Sequence, residues 1–520
     1  MRSIKNNFLL WGLCGLVGLA SCKKWDDHVA AGEQALNENL MEHIRTVPDL
    51  STFGQYLVKT GLDQEISSSK TYTVWAPSNE ALKSLPAEVV ADTARLKAFL
   101  LNHISGQLFF TRQATDSLRV PMLNGKRVVF YRGHFDEAVL SKADVYVRNG
   151  ALHVIDKVIA PLPSIWQFVD STKNTFLQNA YLASRVYTAQ DPTKAELDSI
   201  NPATGQPVYK PNTGIVRLNT FLDKVYNLAS EDSLYTYIVL SNNAFLAETN
   251  KQRAYFKSPE PAYNNSNSLW NVAKHLAIRG YYGPEQLPAA LQSKFGVRVP
   301  INKAAILETR KLSNGIVYVL DEALFNQQEM VPVTYVQGEN PLGFSATIVD
   351  KYLSKVFYRN RFDSLNNKPF KDIYLNLGSS GASQFVDYIS NNLYSVKYKV
   401  YMVAYSDRTA SGNSRDDAYG SDSTLTQLIR IGADTSSMAT PPFSITTKVK
   451  SRDYSEVYLG EYTNDSYNWD LSYPDRTPDG RSYTRTPATR RIRLQAPATT
   501  VNSIPYNLTL DYLKFVPVIP

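Results

Sequence analysis

The hydrophobic pattern opens with an unbroken apolar run at residues 8–20, which follows a short basic segment. A basic flank before an apolar stretch of this length is typical of an export signal. The run is too short to cross a bilayer as a permanent helix. Residues 1–21 are therefore expected to act as a signal peptide that lies outside the folded protein.

A strand followed by a helix is predicted where the pattern changes near residue 72. Residues 72–76 are β-branched or aromatic, as strands prefer. Pro77 is expected to end this strand, and Ser78 or Asn79 to cap the next helix by accepting a backbone N–H. The apolar residues that come next are spaced to give that helix one apolar face.

The same pattern recurs later in the chain. Three anchors return in the same order, namely residues 72–82 and 235–245, His103 and His275, and residues 149–156 and 314–321. Their shared order and nearly constant offset indicate a tandem duplication. In both copies the last anchor starts with Asn-Gly, the dipeptide that best suits a two-residue type I′ hairpin turn ahead of a strand.

At these anchors the sequence resembles the fasciclin domain family. Ala76–Leu82, His103 and Asn149–Asp156 follow the family pattern closely. The second copy departs from it, because Leu240 replaces the proline and Tyr318 replaces the strand histidine. The resemblance implies compact α+β domains that serve adhesion and extracellular recognition.

The last third of the chain has a different pattern. Short runs rich in Tyr, Val and Ile, separated by Gly, Asp, Ser, Asn and Pro, predict an antiparallel β-sandwich. The clearest runs are 398–405, 456–462, 490–494 and 508–518. The last three resemble the closing strands of galactose-binding-like jelly rolls, which implies a lectin-like or accessory domain.

The predicted fold class is therefore α+β, with two tandem fasciclin-like domains followed by a jelly-roll-like antiparallel β-sandwich. The predicted parts are a signal peptide at 1–21, a tether at 22–36, a first fasciclin-like domain at 37–163, a divergent second one at 164–328, and the β-sandwich at 329–520.

Composition agrees with a multidomain globular protein. With 43% hydrophobic and 20% charged residues among 520, the chain is neither a disordered tail nor a polytopic membrane protein. Only 2 cysteines occur, which excludes a disulfide-rich scaffold and a cysteine-built zinc site. The net charge of +7 is mild for this length and supplies no basic stripe for nucleic acid.

Cys22 is the predicted lipid attachment site. The sequence Leu19-Ala20-Ser21-Cys22 resembles the bacterial lipobox, although an ordinary secretory signal with an incidental cysteine remains the alternative. The following Lys23-Lys24-Trp25-Asp26-Asp27 resembles the export signal of surface-exposed Bacteroidetes lipoproteins, and a solvated tether is the plainer interpretation. The resemblance implies a lipid-anchored protein of the outer membrane that faces the cell exterior.

An aromatic and polar cluster near the end of the chain is the candidate ligand site. Tyrosine is enriched after residue 330, and sugar recognition uses aromatic faces beside polar groups. The candidate residues are Tyr462, Tyr467, Asn468, Trp469 and Tyr473. The alternative is that these rings form the core of the sandwich and its rim.

No catalytic residue, cofactor or metal site is predicted. His103 and His275 lack further ligands at metal spacing, so both are expected to be hydrogen-bonded core residues. The acidic segment 407–422 could coordinate calcium but lacks the spaced calcium-loop order. Nucleotide-binding and nucleophile motifs are missing from the sequence, and no carboxylate pair stands out as that of a glycosidase.

The predicted function is therefore adhesion or extracellular recognition by a non-catalytic, surface-anchored lipoprotein. Its β-sandwich is expected to bind a glycan or a surface protein, and an outer-membrane uptake complex is a possible partner by resemblance. Two alternatives stay open: a glycosidase-like accessory enzyme, and a purely structural protein of cell–cell adhesion.

Overall fold

The computed structural model describes nine stretches of the chain, namely residues 36–257, 261–363, 367–378, 381–390, 393–406, 425–450, 453–467, 490–499 and 506–519. The described residues fall into two compact units. Unit 1 is drawn from Met1–Phe168, Leu228–Leu234 and Lys311–Gly315, and unit 2 from Val169–Asn227, Tyr235–Arg310 and Ile316–Pro520. The division into three domains proposed from the sequence stays a prediction.

The helices are short and belong to the first two thirds of the chain. They are α1 (Leu40–Thr46), α2 (Ser51–Thr60), α3 (Leu62–Ile66), α4 (Asn79–Leu82), α5 (Ala87–Ala91), α6 (Thr93–Leu101), α7 (Ile165–Ser171), α8 (Leu177–Ser184), α9 (Thr220–Lys224), α10 (Asn242–Gln252), α11 (Pro261–Ala273) and α12 (Gln327–Met330).

Unit 1 contains a seven-stranded sheet with the order β2-β1-β7-β6-β5-β4-β3. The strands are β1 (Tyr72–Pro77), β2 (Ile104–Ser105), β3 (Leu118–Pro121), β4 (Arg127–Tyr131), β5 (His134–Phe135), β6 (Ala138–Val147) and β7 (Gly150–Ile155). The β1 and β7 strands pair in parallel, and every other pair is antiparallel. Helices α1 to α6 cover one core on this sheet, and a second core surrounds Trp75.

The predicted start of the first helix after β1 is confirmed. The strand ends at Pro77, and the Ser78 side chain accepts a hydrogen bond from the Ala81 backbone N–H at 3.1 Å. The neighbouring Asn79 has a different role, because its side chain accepts from Thr52 N and donates to Pro48 O. Asn79 therefore fastens the preceding helical segment to this turn.

The predicted type I′ turn at Asn149-Gly150 is wrong. Val147 pairs with Gly150, so Arg148 and Asn149 form the turn and Gly150 is already in β7. The Asn149 side chain accepts from Leu40 N and donates to the carbonyls of two residues before β1. A Cβ atom on Gly150 would lie 2.1 Å from a carbonyl oxygen of β1, so close strand packing explains the glycine.

The second copy repeats the central strand order of the first. A four-stranded sheet has the order β13-β12-β17-β16, which matches β2-β1-β7-β6. The remaining strands of this region form three two-stranded antiparallel sheets. The strands are β8 (Val186–Gln190), β9 (Leu197–Ile200), β10 (Pro207–Tyr209), β11 (Ile215–Asn219), β12 (Tyr235–Leu240), β13 (Ala277–Arg279), β14 (Ala290–Gln292), β15 (Arg298–Pro300), β16 (Ile306–Leu312) and β17 (Gly315–Leu320).

The anchors of the second copy make the same kinds of contact. Ser241 caps α10 by accepting from Ala244 N, as Ser78 does for α4. Asn314 accepts from Ile165 N and donates to the carbonyls of two residues ahead of β12, as Asn149 does for β1. The duplicated sequence is therefore matched by duplicated local structure.

The last third forms the predicted antiparallel β-sandwich. Its sheets have the orders β18-β29-β23-β26, β19-β22-β27-β24-β25 and β20-β21-β28, and they enclose one apolar core. The strands are β18 (Thr334–Gln337), β19 (Gly343–Phe344), β20 (Val356–Asp363), β21 (Lys368–Leu375), β22 (Phe385–Ser390), β23 (Lys397–Val403), β24 (Leu425–Gly432), β25 (Phe443–Val449), β26 (Val457–Thr463), β27 (Arg490–Gln495), β28 (Leu508–Leu510) and β29 (Tyr512–Pro517).

One predicted strand is divided in the structure. The run 508–518 becomes β28 and β29, which belong to different sheets and are separated by Asp511. The segment between the second copy and the sandwich is not a loose linker, because Met330 and Val331 are buried.

Candidate functional site

The structure places Tyr462 inside the sandwich. Its side chain is 3% exposed in the core between the sheets, and its hydroxyl donates to Asn464 Oδ1 at 3.3 Å. Burial raises the pKa of this hydroxyl above its ordinary value. The expected contact between Tyr462 and a glycan is therefore corrected to a core role, because no ring face reaches solvent.

Tyr467 is used in packing between the second copy and the sandwich. Its ring lies edge-on to Phe256 at a centroid distance of 4.6 Å and near Tyr394 at 5.4 Å. Its backbone N–H donates to Lys257 O at 2.8 Å. Phe256 and Tyr394 are both buried, so Tyr467 joins two parts of the chain, and because its side chain is only partly buried its ligand role stays a prediction.

Backbone hydrogen bonds reinforce this contact, which we call the aromatic junction and define as Tyr255, Phe256, Val331, Tyr394 and Tyr467. Two hydrogen bonds join the segments around Phe256 and Tyr394: Ser395 N donates to Tyr255 O, and Lys257 N donates to the side-chain Oγ of Ser395, both at 2.8 Å. The sequence gives no periodic signal that would pair residues so distant along the chain.

The other predicted site residues lie outside the described residues. These are Cys22, Asn468, Trp469 and Tyr473, together with the acidic segment 407–422. Their predicted roles in lipid attachment, ligand binding and calcium coordination stay predictions.

The histidine anchors are core residues, as the sequence predicts. His103 is fully buried, donates from Nδ1 to Phe99 O and accepts at Nε2 from Ile159 N. His275 is 1% exposed and contacts Ser293 Oγ through Nδ1 at 2.9 Å. Burial lowers the pKa of His103 to about 4 and that of His275 well below its usual value. Both rings are therefore neutral at neutral pH.

Arg491 and Arg493 alternate with the buried Ile492 and Leu494 and so lie on the outward side of β27, but both are only partly exposed. Both guanidinium groups bond to Asp387 on β22, which is 4% exposed. The Arg493 guanidinium also lies 3.4 Å from the centroid of the Phe385 ring. Sequence reasoning missed Asp387, because the pairing of β22 with β27 joins segments about a hundred residues apart.

Sequence reasoning also missed a buried ion pair in the sandwich. Arg359 on β20 and Asp372 on β21 are 1% and 0% exposed, and Arg359 Nε lies 2.9 Å from Asp372 Oδ1. The Arg359 guanidinium also donates to Tyr405 O and lies over the Tyr374 ring. Charged residues at these positions give no hint of burial in the sequence alone, because charged strands more often face water.

The described residues contain no group of three or more His, Cys, Asp or Glu side chains arranged to hold a metal ion. In the same part of the chain, every helix is too short or too polar to span a bilayer.

Comparison with known proteins assigns the first α+β region. The fasciclin domain model matches residues 48–161, which carry β1, His103 and β7. Protein sll1483 of Synechocystis is 30% identical over 146 residues, which cover 25% of this chain and 80% of that protein. The chain belongs to the fasciclin domain family.

The chain is also similar to one further curated protein and to one solved structure. The porcine transforming growth factor-beta-induced protein ig-h3 is 30% identical over 142 residues, 24% of this chain. This fasciclin-family chain spans about a fifth of that relative's length (20%). The CBM36-1 domain of a multidomain xylanase from the hindgut metagenome of Trinervitermes trinervoides aligns over 36% of the chain and 100% of that domain, with 14% identity and a TM-score of 0.21.

Proposed function

We propose that this fasciclin-family chain is a non-catalytic adhesion or recognition protein of the cell surface. The observation that carries the proposal is the fasciclin domain at residues 48–161. The second copy, with its repeated strand order and repeated Ser and Asn contacts, is proposed to be a divergent fasciclin domain. The β-sandwich is proposed to bind a glycan or a surface protein.

Three of the histidines and two of the aspartates that the structure describes are unsuited to catalysis. His103, His153 and His275 are buried, and burial lowers the pKa of each. A general base must reach its substrate, so these three rings have no access to one. Asp372 and Asp387 are likewise occupied by arginines, which leaves them unsuited to act as a free acid and base pair.

The binding proposal is tested with the full chain, because the aromatic junction joins the sandwich to the second copy. The chain is screened against immobilised polysaccharides and against whole cells, and reducing-end release is measured in parallel. Polysaccharide or cell binding without reducing-end release is expected. Release of reducing ends would overturn the non-catalytic assignment. Failure to bind any polysaccharide or any cell would overturn the recognition role.

A lipid on Cys22 is proposed to hold the protein at the outer membrane, facing the exterior. The support is the lipobox-like sequence at residues 19–22. Cys22→Ala should abolish incorporation of labelled fatty acid and release the protein from membranes. Unchanged membrane attachment in this variant would contradict the anchor and leave the binding proposal intact. An outer-membrane uptake complex is a further proposed partner, which crosslinking in intact cells would detect.

A further inference from the structure

The outward face of the five-stranded sheet carries an excess of positive charge. In β22, β24 and β27, alternate residues such as Tyr388, Ile429 and Ile492 fill the apolar core, so the residues between them point outward. We call this outward surface the basic face and define it by its charged members, Asp387, Arg430, Lys448, Arg491 and Arg493. This face therefore carries four cationic side chains and one carboxylate, which contacts two of them, Arg491 and Arg493.

Strand register places two of these arginines side by side. Arg493 lies directly opposite Asp387 on one neighbouring strand and directly opposite Arg430 on the other. The Asp387 carboxylate is already engaged by Arg493 at 2.7 and 2.9 Å and by Arg491 at 2.8 Å. Like charges directly opposite each other disfavour a strand pair, and Asp387 does not reach across Arg493 to neutralise Arg430.

Arg430 also has unused hydrogen-bonding capacity. Its Nη1 donates to Met438 O at 3.2 Å, while its buried Nε has no partner among the residues that the structure describes. On the adjacent row of the same face, the buried Oε1 of Gln495 lacks a partner within the same described set. Because both atoms are shielded from solvent, the case for a ligand rests on the charges of the face and not on these two atoms.

We propose that the basic face binds an anionic polysaccharide. A carboxylate or sulfate group would accept hydrogen bonds from Arg430 and Arg493. The row Asp387, Arg493, Arg430 and Ser444 crosses four strands, about 14 Å at the usual strand spacing. The positive charge of the face indicates that the ligand is anionic. That the ligand is a polysaccharide rests on the proposed function.

The test compares binding of the full chain to four immobilised polymers: dextran, dextran sulfate, polygalacturonate and polyglutamate. Binding to dextran sulfate, polygalacturonate or both, but not to dextran, is expected, and it should weaken as salt rises. Whichever of the two polymers binds identifies sulfate or carboxylate as the recognised group. Arg430→Gln should weaken that binding at least about tenfold, as expected for the loss of a charge-assisted hydrogen bond.

Two further variants make the result specific. Lys399→Gln removes one exposed positive charge from a different sheet of the sandwich and should leave binding unchanged. Arg430→Lys keeps the charge and should retain most of the binding, which also covers the case in which Arg430→Gln does not fold. Equal losses in Arg430→Gln and Lys399→Gln, or no loss in Arg430→Gln, would overturn the assigned face.

The remaining outcomes separate this inference from the proposed function. Binding to neutral dextran with no preference for the charged polymers would refute the basic face as a site and leave glycan recognition standing. Equal binding to polyglutamate, with the same dependence on Arg430, would show that the partner is an acidic protein and would overturn the polysaccharide. Failure to bind any of the four polymers would overturn the inference, while cell binding would still test the wider proposal.

Discussion

Replacing Asp372 by Asn should destabilise the β-sandwich, because it removes the carboxylate charge that the buried Arg359 guanidinium contacts. Both side chains are almost fully buried, and the guanidinium makes two close contacts with the carboxylate, at 2.9 and 2.5 Å. Removing one partner of such a pair typically costs about 3–5 kcal/mol in the free energy of unfolding.

The surroundings of Arg359 place the expected value at the lower end of that range. Its guanidinium keeps its contacts with Tyr405 O at 3.3 Å and Thr509 Oγ1 at 3.4 Å, and with the Tyr374 ring at 4.5 Å. The Asn side chain can still accept one hydrogen bond. We therefore expect a loss of about 3 kcal/mol, which corresponds to roughly a hundredfold change in an equilibrium constant.

Native-state hydrogen exchange is the suitable assay, because it reports stability region by region in a multidomain chain. The amides of β21 and β28 should lose about a hundredfold in protection in Asp372→Asn, as expected for about 3 kcal/mol. Glu461→Gln is the matched control, because the Lys397–Glu461 pair lies on the sandwich surface with side chains 52% and 46% exposed. Such surface pairs contribute less than about 1 kcal/mol.

Two results would refute this reasoning. One is a loss in Asp372→Asn as small as that in Glu461→Gln. The other concerns the double variant Arg359→Met with Asp372→Leu, which removes both charges and should recover most of the lost stability. A double variant as unstable as the single one would show that the cost lies in packing and not in the loss of the charge pair.

Three further predictions follow from buried features. Burial lowers the pKa of His103 to about 4, so its contribution to stability is complete above pH 6.5 and is lost as pH falls toward 4. The urea midpoint of unfolding, measured as a function of pH, should therefore change less over this range in His103→Gln than in the unmodified protein. An unchanged pH profile in the variant would contradict this. Gly150→Ala should cost more than about 2 kcal/mol in thermal unfolding, whereas Gly343→Ala, with nothing within 4 Å of its added Cβ, should be nearly neutral; similar losses would refute the steric reason. Phe256→Ala should cost about 3 kcal/mol and speed exchange of the Ser395 amide, and unaltered exchange there would argue against the aromatic junction.

Local signals in the sequence were sufficient where one short segment determines the structure. Ser78 and Ser241 each follow a strand-like run and precede an apolar helical pattern, and both cap their helices. The buried state of His103 and His275 also followed from their apolar neighbours. In these cases the residues that make the contact are within a few positions of each other or share one apolar segment.

Long-range contacts explain what the sequence could not provide. Asn149 suits a type I′ turn by its dipeptide, yet its amide satisfies backbone groups of distant segments. Tyr467 has the aromatic side chain expected of a sugar-binding residue, but its ring packs against Phe256, which lies far earlier in the chain. A residue type that serves two purposes equally well can be assigned only when its spatial neighbours are known.

The long reach of the asparagine contacts has a consequence for synthesis of the chain. Leu40 N is satisfied by Asn149, 109 residues later, and Ile165 N by Asn314, 149 residues later. The backbone at the beginning of each copy is therefore fully bonded only after the end of that copy has emerged, whether from the ribosome or from an export channel. Chains truncated just before either asparagine should leave these backbone N–H groups without their acceptor. Chains that extend a few residues past the asparagine should form both hydrogen bonds.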